Sequence, residues 1–382
     1  MDLIRLNTYL EHRPEQLKDL KQSGTKVIGY FPGNYVPDEL IYASGAVPLC
    51  LINGGNPAAA EAGLSVFPQI ICPFARSQVG ERLLNQKSIY NMLDMVVAPI
   101  TCQHLKKVAE FWEYTGELEI FKLGVPHQRG GDTERDYFAG RLKALKDRLE
   151  AFTKNEITDE KIIDSIRLYN RMRELIKEIS RLRQNISTPV NFMDFLKLNH
   201  ASFFADPEFM VDFLESVYQE LKAEHVSAAQ DSPRILLIGP NIGYGDYRVP
   251  ELIMEAGGEI VIEEICEGTR YYWRDIDHSG DLFQSLARGY LEERVPCAYM
   301  RNSTRTRFDF SLKLIEDFAV DGVVWYEILC CETYDAESYY YVQKLAERDI
   351  PMLILESDYG TGDTSQMKTR IEAFIEIVKG VF

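Results

Sequence analysis

Short apolar runs alternate with amphipathic stretches along the first third of the chain. The runs with the length and composition of buried strands cover residues 26–31, 46–52, 95–100 and 118–125. Amphipathic segments at residues 1–25, 36–41 and 105–114 have the composition of helices. Continuous apolar strands separated by helices are typical of a parallel sheet that is covered on both faces.

Strand signals vanish after about residue 132, and amphipathic segments at residues 136–152 and 159–186 predict long helices. Strands and helices alternate again in the last third. The predicted strands are 234–238, 259–265, 322–328 and 351–356, and the predicted helices are 281–292, 304–318, 334–348 and 365–381. The sequence therefore predicts an α/β protein with three regions. These are an N-terminal α/β domain at 1–131, a helical connector or subdomain at 132–228 and a C-terminal α/β domain at 229–382.

The composition is that of an ordinary globular protein, with 382 residues, 46% hydrophobic and 26% charged. The net charge of -17 argues against nucleic acid or an anionic membrane surface as the main partner. The first residues are charged and amphipathic without the apolar core of a signal peptide. There is also no run of about 18 apolar residues, so no membrane-spanning helix is expected.

Seven cysteines carry the most informative chemistry in the sequence. The odd count in a long chain argues against a secreted disulfide scaffold, so a reducing cytoplasm is the expected location. Three of them, Cys72, Cys102 and Cys331, follow apolar runs that are predicted strands or the turns leaving them. In an open α/β sheet, ligands gather outside the carboxyl ends of the strands. Three thiolates at that edge could hold an iron–sulfur cluster and leave one iron without a cysteine. Each could equally be a buried core residue, which is the interpretation that suits Cys50 best.

Two further motifs have a functional and a structural interpretation. The loop Gly239-Pro-Asn-Ile-Gly243-Tyr-Gly245-Asp246 follows a strand and could hold phosphate, or it could be a packing turn. No Gly-Lys-Ser/Thr occurs, so a Walker A site is absent and any use of ATP would depend on a partner protein. His104 lies two residues after Cys102 and could donate a proton, or it could cap a helix.

Several segments resemble the 2-hydroxyacyl-CoA dehydratase and benzoyl-CoA reductase family. The first is Lys26-Val-Ile-Gly29-Tyr-Phe-Pro32, followed by Tyr35-Val-Pro37-Asp-Glu39-Leu40-Ile-Tyr42-Ala43-Ser-Gly45-Ala-Val-Pro48. Later blocks agree in order. They are Cys72 with its surroundings, Asp94-Met-Val-Val-Ala-Pro-Ile-Thr-Cys102, Glu264-Ile-Cys266-Glu-Gly268-Thr-Arg270-Tyr271, Val320 to Glu332, and Thr369-Arg370-Ile-Glu372-Ala-Phe374-Ile-Glu376. The resemblance covers nearly the whole chain.

The resemblance implies two Rossmann- or flavodoxin-like domains and a [4Fe–4S] cluster on Cys72, Cys102 and Cys331. It also implies a dimer with a related subunit or a second copy, and an ATP-dependent iron–sulfur activator protein that donates one electron. In the dehydratases of this family, that electron converts a 2-hydroxyacyl-CoA substrate to a ketyl radical, which loses its hydroxyl group. Ser44, Glu39 and His104 are the polar residues nearest the matching blocks and are candidates for proton handling.

Additional cysteines leave three alternatives open. Cys330 stands where the family often has an aromatic residue, so either Cys330 or Cys331 could be the third ligand. A related branch carries a double-cubane [8Fe–9S] cluster and reduces small molecules with ATP-driven electrons. In this chain, Cys266, Cys297 and Cys330 could join the first three cysteines to supply six thiols. The protein could therefore be a dehydratase, a reductase of the same superfamily, or a non-catalytic electron-relay or structural subunit.

Overall fold

The computed structural model describes residues 3–84, 88–116, 118–185, 188–223 and 232–380. Its strands are β1 (Val27–Tyr30), β2 (Val47–Cys50), β3 (Met95–Ile100), β4 (Glu119–Gly124), β5 (Arg234–Ile238), β6 (Glu259–Glu264), β7 (Gly322–Ile328) and β8 (Met352–Ser357). They form two four-stranded sheets with the orders β2-β1-β3-β4 and β6-β5-β7-β8. All the strand pairs in both sheets are parallel. The predicted α/β class with two parallel sheets is therefore confirmed.

Helices flank both sheets and fill the segment between them. They are α1 (Ile4–Gln22), α2 (Asp38–Ala43), α3 (Pro57–Ala62), α4 (Pro73–Leu84), α5 (Gln103–Thr115), α6 (Asp132–Thr153), α7 (Asp159–Arg181), α8 (Phe192–Ala201), α9 (Pro207–Ala223), α10 (Arg248–Glu255), α11 (Thr269–Tyr272), α12 (Leu282–Ala287), α13 (Ser303–Asp317), α14 (Glu332–Ala346) and α15 (Thr364–Val378). Helix α12 continues into a π-helical turn at Arg288–Glu293. None of the helices in the described ranges is long and apolar enough to cross a lipid bilayer.

Most elements lie where the sequence predicts them, with shifts at their ends. The predicted helix at 159–186 ends at Arg181 and continues as a short 3-10 turn, while residue 186 lies outside the described residues. The predicted helix at 365–381 ends at Val378, and residue 381 also lies outside them. Helices α3, α4, α10 and α11 were not predicted. Three of them, α3, α10 and α11, have eight residues or fewer, which is too short to show a helical period in the sequence. The boundaries of the three proposed regions stay a prediction.

Strands β5, β6 and β7 of the second sheet are almost entirely buried on both faces, as their continuous apolar runs predict, whereas the edge strand β8 is only partly buried. Along β5, Ile235 and Leu237 belong to a large core that extends through the first sheet and the connecting helices. Leu236 and Ile238 belong to a separate core beneath α13 and α14. Because side chains alternate across a strand, this division shows that helices cover the two faces of the sheet.

The two halves of the chain contact each other through the loops that follow β2 and β5. The backbone N–H of Tyr244 donates to the carbonyl oxygen of Ile52 at 2.7 Å, and the N–H of Gly54 donates to the carbonyl oxygen of Tyr244 at 3.0 Å. A Cβ atom on Gly243 would lie 2.8 Å from the Cα atom of Gly54. The glycine-rich loop after β5 is therefore a packing turn between the halves, which agrees with the structural interpretation of the motif.

The substitution Gly243→Ala tests this contact. The added methyl group meets the backbone of Ile52 and Gly54 rather than a flexible side chain, so we expect the free energy of unfolding to fall by about 1–3 kcal/mol. The measurement is urea-induced unfolding followed by circular dichroism. Gly362→Ala is the control, because a Cβ atom there contacts nothing within 4 Å. Equal stability of the two variants would contradict the close contact.

Candidate functional site

A cavity of about 350 Å³ lies at the carboxyl ends of both sheets. Residues directly after β1, β3, β5, β6 and β7 line it, so both halves of the chain contribute to its wall. Six of the seven cysteines are among the lining residues: Cys72, Cys102, Cys266, Cys297, Cys330 and Cys331. Cys50 lies in β2 within the core and is absent from this wall. The parallel strands thus bring together all the cysteines that sequence analysis considered as ligands.

Cys72, Cys102 and Cys331 share one structural position. Cys72 immediately precedes α4, whereas Cys102 and Cys331 are the N-cap residues of α5 and α14. The first N–H groups of a helix have no partner within the helix and carry partial positive charge. Three helix N-termini therefore face the cavity, an arrangement that favours negatively charged sulfur.

Backbone N–H groups of the first helical turn donate to each of these three sulfur atoms. The donors are Ala75 to Cys72 at 3.5 Å, His104 and Leu105 to Cys102, and Tyr334 to Cys331. Such hydrogen bonds orient metal-ligating sulfurs and tune an attached cluster.

Burial nevertheless raises the pKa of these thiols in the absence of metal. For Cys72, the neighbouring thiols Cys102 and Cys331 raise the pKa further, and the pKa of Cys331 reaches about 12. These three thiols therefore keep their protons at pH 7, and a metal ion that binds them must displace those protons. A coordinating metal ion has this effect on a thiol.

Cys330 and Cys331 both line the cavity but differ in backbone conformation. Cys330 has a φ angle of 66°, in the left-handed region, whereas Cys331 has a φ angle of -87° and caps α14. Cys331 thereby matches the position of Cys102 at the end of β3. The choice between the two as the third ligand stays a prediction, and the structure makes both thiols available.

Cys266 and Cys297 form a second group of thiols in the same cavity. The Cys266 thiol donates a hydrogen bond to the sulfur of Cys297, which lowers the pKa of Cys297 to about 6 and raises the pKa of Cys266. The guanidinium groups of Arg270 and Arg307 lower the pKa of Cys297 further. The second group therefore provides a stabilised thiolate without a helix N-terminus.

The two arginines belong to a buried network of charges beneath the cavity. Both contact Glu264, with Nε to Oε1 distances of 3.4 Å for Arg270 and 3.1 Å for Arg307. Arg307 also pairs with Glu337, and its guanidinium lies 4.6 Å from the ring centroid of Tyr334. A network of this kind holds its positive groups in fixed positions, since an unpaired charge in the interior is costly.

Of the three proton-handling candidates, only His104 lines the cavity. Its Nδ1 atom accepts a hydrogen bond from the backbone N–H of Cys72 at 3.2 Å, which leaves Nε2 to carry the proton. Partial burial lowers the pKa of His104, so the neutral ring is favoured. The structure does not bring Glu39 or Ser44 to the cavity. Glu39 pairs with Arg173 at 2.9 Å, and the Ser44 hydroxyl donates to the carbonyl oxygen of Ile41 at 2.6 Å.

Glu267 contributes a carboxyl group to the cavity wall that was not predicted from the sequence. Glu267 is 1% exposed, and burial raises its pKa to about 8. It lies beside Cys266, so the cysteine itself was the signal that could have drawn attention to it.

No lysine or arginine is among the described residues that line this cavity.

The arrangement of the thiols fits a cluster better than a single metal ion. In the described part of the chain, no three His, Cys, Asp or Glu side chains converge as ligands of one ion. The six thiols instead line one cavity, and the metal atoms of an iron–sulfur cluster are each held by separate thiolates.

Comparison with known proteins identifies the family of the chain. Residues 34–378 match the family described as 2-hydroxyglutaryl-CoA dehydratase, D-component. The chain belongs to this family. The resemblance found in the sequence is therefore confirmed across nearly the whole chain.

Three relatives show the range of the family. The chain is 28% identical to a protein of Escherichia coli (strain K12) named as dehydratase subunit YjiM, over 94% of this chain and 93% of the relative. It is 24% identical to the (R)-phenyllactyl-CoA dehydratase beta subunit of Clostridium sporogenes, with 94% of both chains covered. It is also 22% identical to one of the subunits of the benzoyl-CoA reductase of Thauera aromatica, over 93% of this chain and 91% of the relative. The names include both dehydratases and a reductase.

The substitution Arg307→Met tests the charge network beneath the cavity. The substitution removes one of the two cations that contact the buried Glu264 and the cation that pairs with Glu337. We therefore expect the free energy of unfolding to fall by about 3–5 kcal/mol. Urea-induced unfolding measures the change. Arg305→Met, on the same helix, is the control, because the Arg305 side chain is 87% exposed and should affect stability little. Equal effects of both substitutions would contradict the proposed role of Arg307.

Proposed function

We propose that this chain is the iron–sulfur subunit of an ATP-dependent reductase in the dehydratase and reductase family. The observation that carries the proposal is the presence of six cysteines around one cavity. A [4Fe–4S] cluster with an open iron needs three of them, whereas a double-cubane [8Fe–9S] cluster needs all six. The geometry therefore supports the larger cluster.

The two sets of cysteine thiols are stabilised in different ways. Cys72, Cys102 and Cys331 receive backbone N–H groups at helix N-termini, and Cys266 and Cys297 lie near Arg270 and Arg307. A cluster bound here would supply electron storage and transfer at low potential. The surrounding chain would hold the sulfurs in position and limit the access of water, since Cys72 and Cys266 are each 7% exposed.

A proton donor and an electron source complete the proposed reaction. His104 holds a proton on Nε2 at the cavity wall, and Glu267, which follows β6, contributes a buried carboxyl group to the same wall. We propose an ATP-dependent iron–sulfur activator as the electron donor, because the sequence contains no Walker A motif. A related subunit or a second copy would complete a dimer, since the relatives are themselves named as subunits of larger enzymes.

The second candidate is a 2-hydroxyacyl-CoA dehydratase subunit with a [4Fe–4S] cluster on Cys72, Cys102 and Cys331. The common position of these three cysteines at helix N-termini favours it, as does the description of the family. In this case Cys266, Cys297 and Cys330 would be unligated thiols. No lysine or arginine is among the described residues that line the cysteine cavity, so the phosphates of an acyl-CoA would find no cationic partner there.

Iron and sulfide content per chain distinguishes the two candidates. We expect anaerobically purified protein to contain amounts close to one [8Fe–9S] cluster, since six thiols are available. The double substitution Cys266→Ser with Cys297→Ser should lower both contents, whereas Cys50→Ala should leave them unchanged because Cys50 lies outside the cavity.

A content equal to one [4Fe–4S] cluster that survives the double substitution would overturn the first candidate and support the second. Electron transfer from an activator with ATP, but no turnover of any acyl-CoA or small molecule, would instead indicate an electron-relay subunit.

A further inference from the structure

A second cavity adjoins the cysteine cavity at the carboxyl end of β4. Its volume is about 310 Å³, and its wall includes Lys122, His127, Tyr137, Arg141 and Tyr299. His127 and Tyr299 also line the cysteine cavity, so the two spaces share a wall. Its position outside the end of a parallel strand is one where α/β proteins bind ligands.

The charge of this second cavity is opposite to that of the chain. The described residues lining it include two cations, Lys122 and Arg141, and no carboxylate, although the chain has a net charge of -17. Arg141 is partly buried and Lys122 is 41% exposed, and two cations in one cavity wall create a local positive potential. The second cavity therefore provides the cationic groups that the cysteine cavity lacks.

Arg141 has the greater capacity to bind an anion. Its Nη2 atom donates to the carbonyl oxygen of Lys122 at 3.1 Å, and no carboxylate in the described part of the chain forms an ion pair with it. Lys122 pairs with Glu113 at 2.6 Å, but the Glu113 side chain is 51% exposed, so this ion pair is weak. The planar guanidinium group of arginine can donate two parallel hydrogen bonds to a carboxylate or a phosphate.

The shared wall is held in a defined position. The Tyr299 hydroxyl lies 3.1 Å from the carbonyl oxygen of Val125 and 3.3 Å from that of Ile100, and can donate to either. The His127 ring packs against the Tyr299 ring with centroids 4.4 Å apart. A molecule with its anionic end near Arg141 would extend past these two rings toward the thiols.

We propose that the second cavity binds the oxyanion group, a carboxylate or a phosphate, of the molecule that reacts in the cysteine cavity. Arg141 is the main ligand of this group, and Lys122 and Tyr137 are secondary ligands. The statement that the bound molecule is a substrate rests on the proposed function. The binding of an oxyanion at this site does not depend on it.

Isothermal titration calorimetry of the anaerobically purified full chain tests the site with two probes, inorganic pyrophosphate and succinate. We expect at least one to bind. Arg141→Gln should weaken its binding about tenfold, because a hydrogen bond to a charged group is lost. Lys122→Gln should also weaken the binding of that probe. Lys143→Gln is the matched control, since it removes one positive charge from an exposed position of the same helix α6 outside the cavity.

The two probes distinguish the source of the oxyanion. Tighter binding of pyrophosphate supports a phosphate-bearing ligand, and tighter binding of succinate supports a carboxylic acid. Binding of neither probe, or equal weakening by Arg141→Gln and Lys143→Gln, would overturn the proposal. Iron and sulfide contents measured on the same samples report separately on the proposed function. They should be equal in wild type and in all three variants.

Discussion

Parallel pairing of the strands is the constraint on which the site depends. In a parallel sheet all strands end at the same edge, and in this protein the edges of two such sheets border one cavity. The loops after five different strands therefore meet there, although their residues are widely separated in sequence. Contacts between the loops that follow β2 and β5 hold the two halves together. The first half contributes two of the six thiols and the second half contributes four, so the complete cavity requires both halves of the chain.

The two halves also place their cysteines in a related way. Both sheets have the same strand order, and β3 and β7 occupy the same place within it. Cys102 follows β3 and Cys331 follows β7, and each caps the helix that comes next. The remaining thiols break this symmetry, because Cys266 and Cys297 come from the second half only. That half also contains the buried arginines Arg270 and Arg307 that favour a thiolate at Cys297.

The separation of charge between the two cavities has a physical consequence. The buried cations Arg270 and Arg307 favour a thiolate at Cys297, and a further cation in the cavity wall would compete for the same negative charge. The cations that can bind an anionic ligand lie instead in the neighbouring cavity, behind Tyr299 and His127. In the proposed arrangement, an anionic group is recognised in one cavity and the chemistry at sulfur takes place in the other, and the two cavities share Tyr299 and His127.

The amino-acid sequence by itself determined the strand and helix order and the presence of cysteines at strand ends, because periodicity and apolar runs are local properties. It also supported the family through matching blocks. Only the tertiary structure decided that Cys266, Cys297 and Cys330 share a cavity with Cys72, Cys102 and Cys331, and that Glu39 and Ser44 lie elsewhere. The buried ion pairs, and the position of Lys122 and Arg141 in one cavity wall, likewise could not be predicted from the sequence. The reason is that packing between distant segments, rather than local pattern, decides which side chains meet.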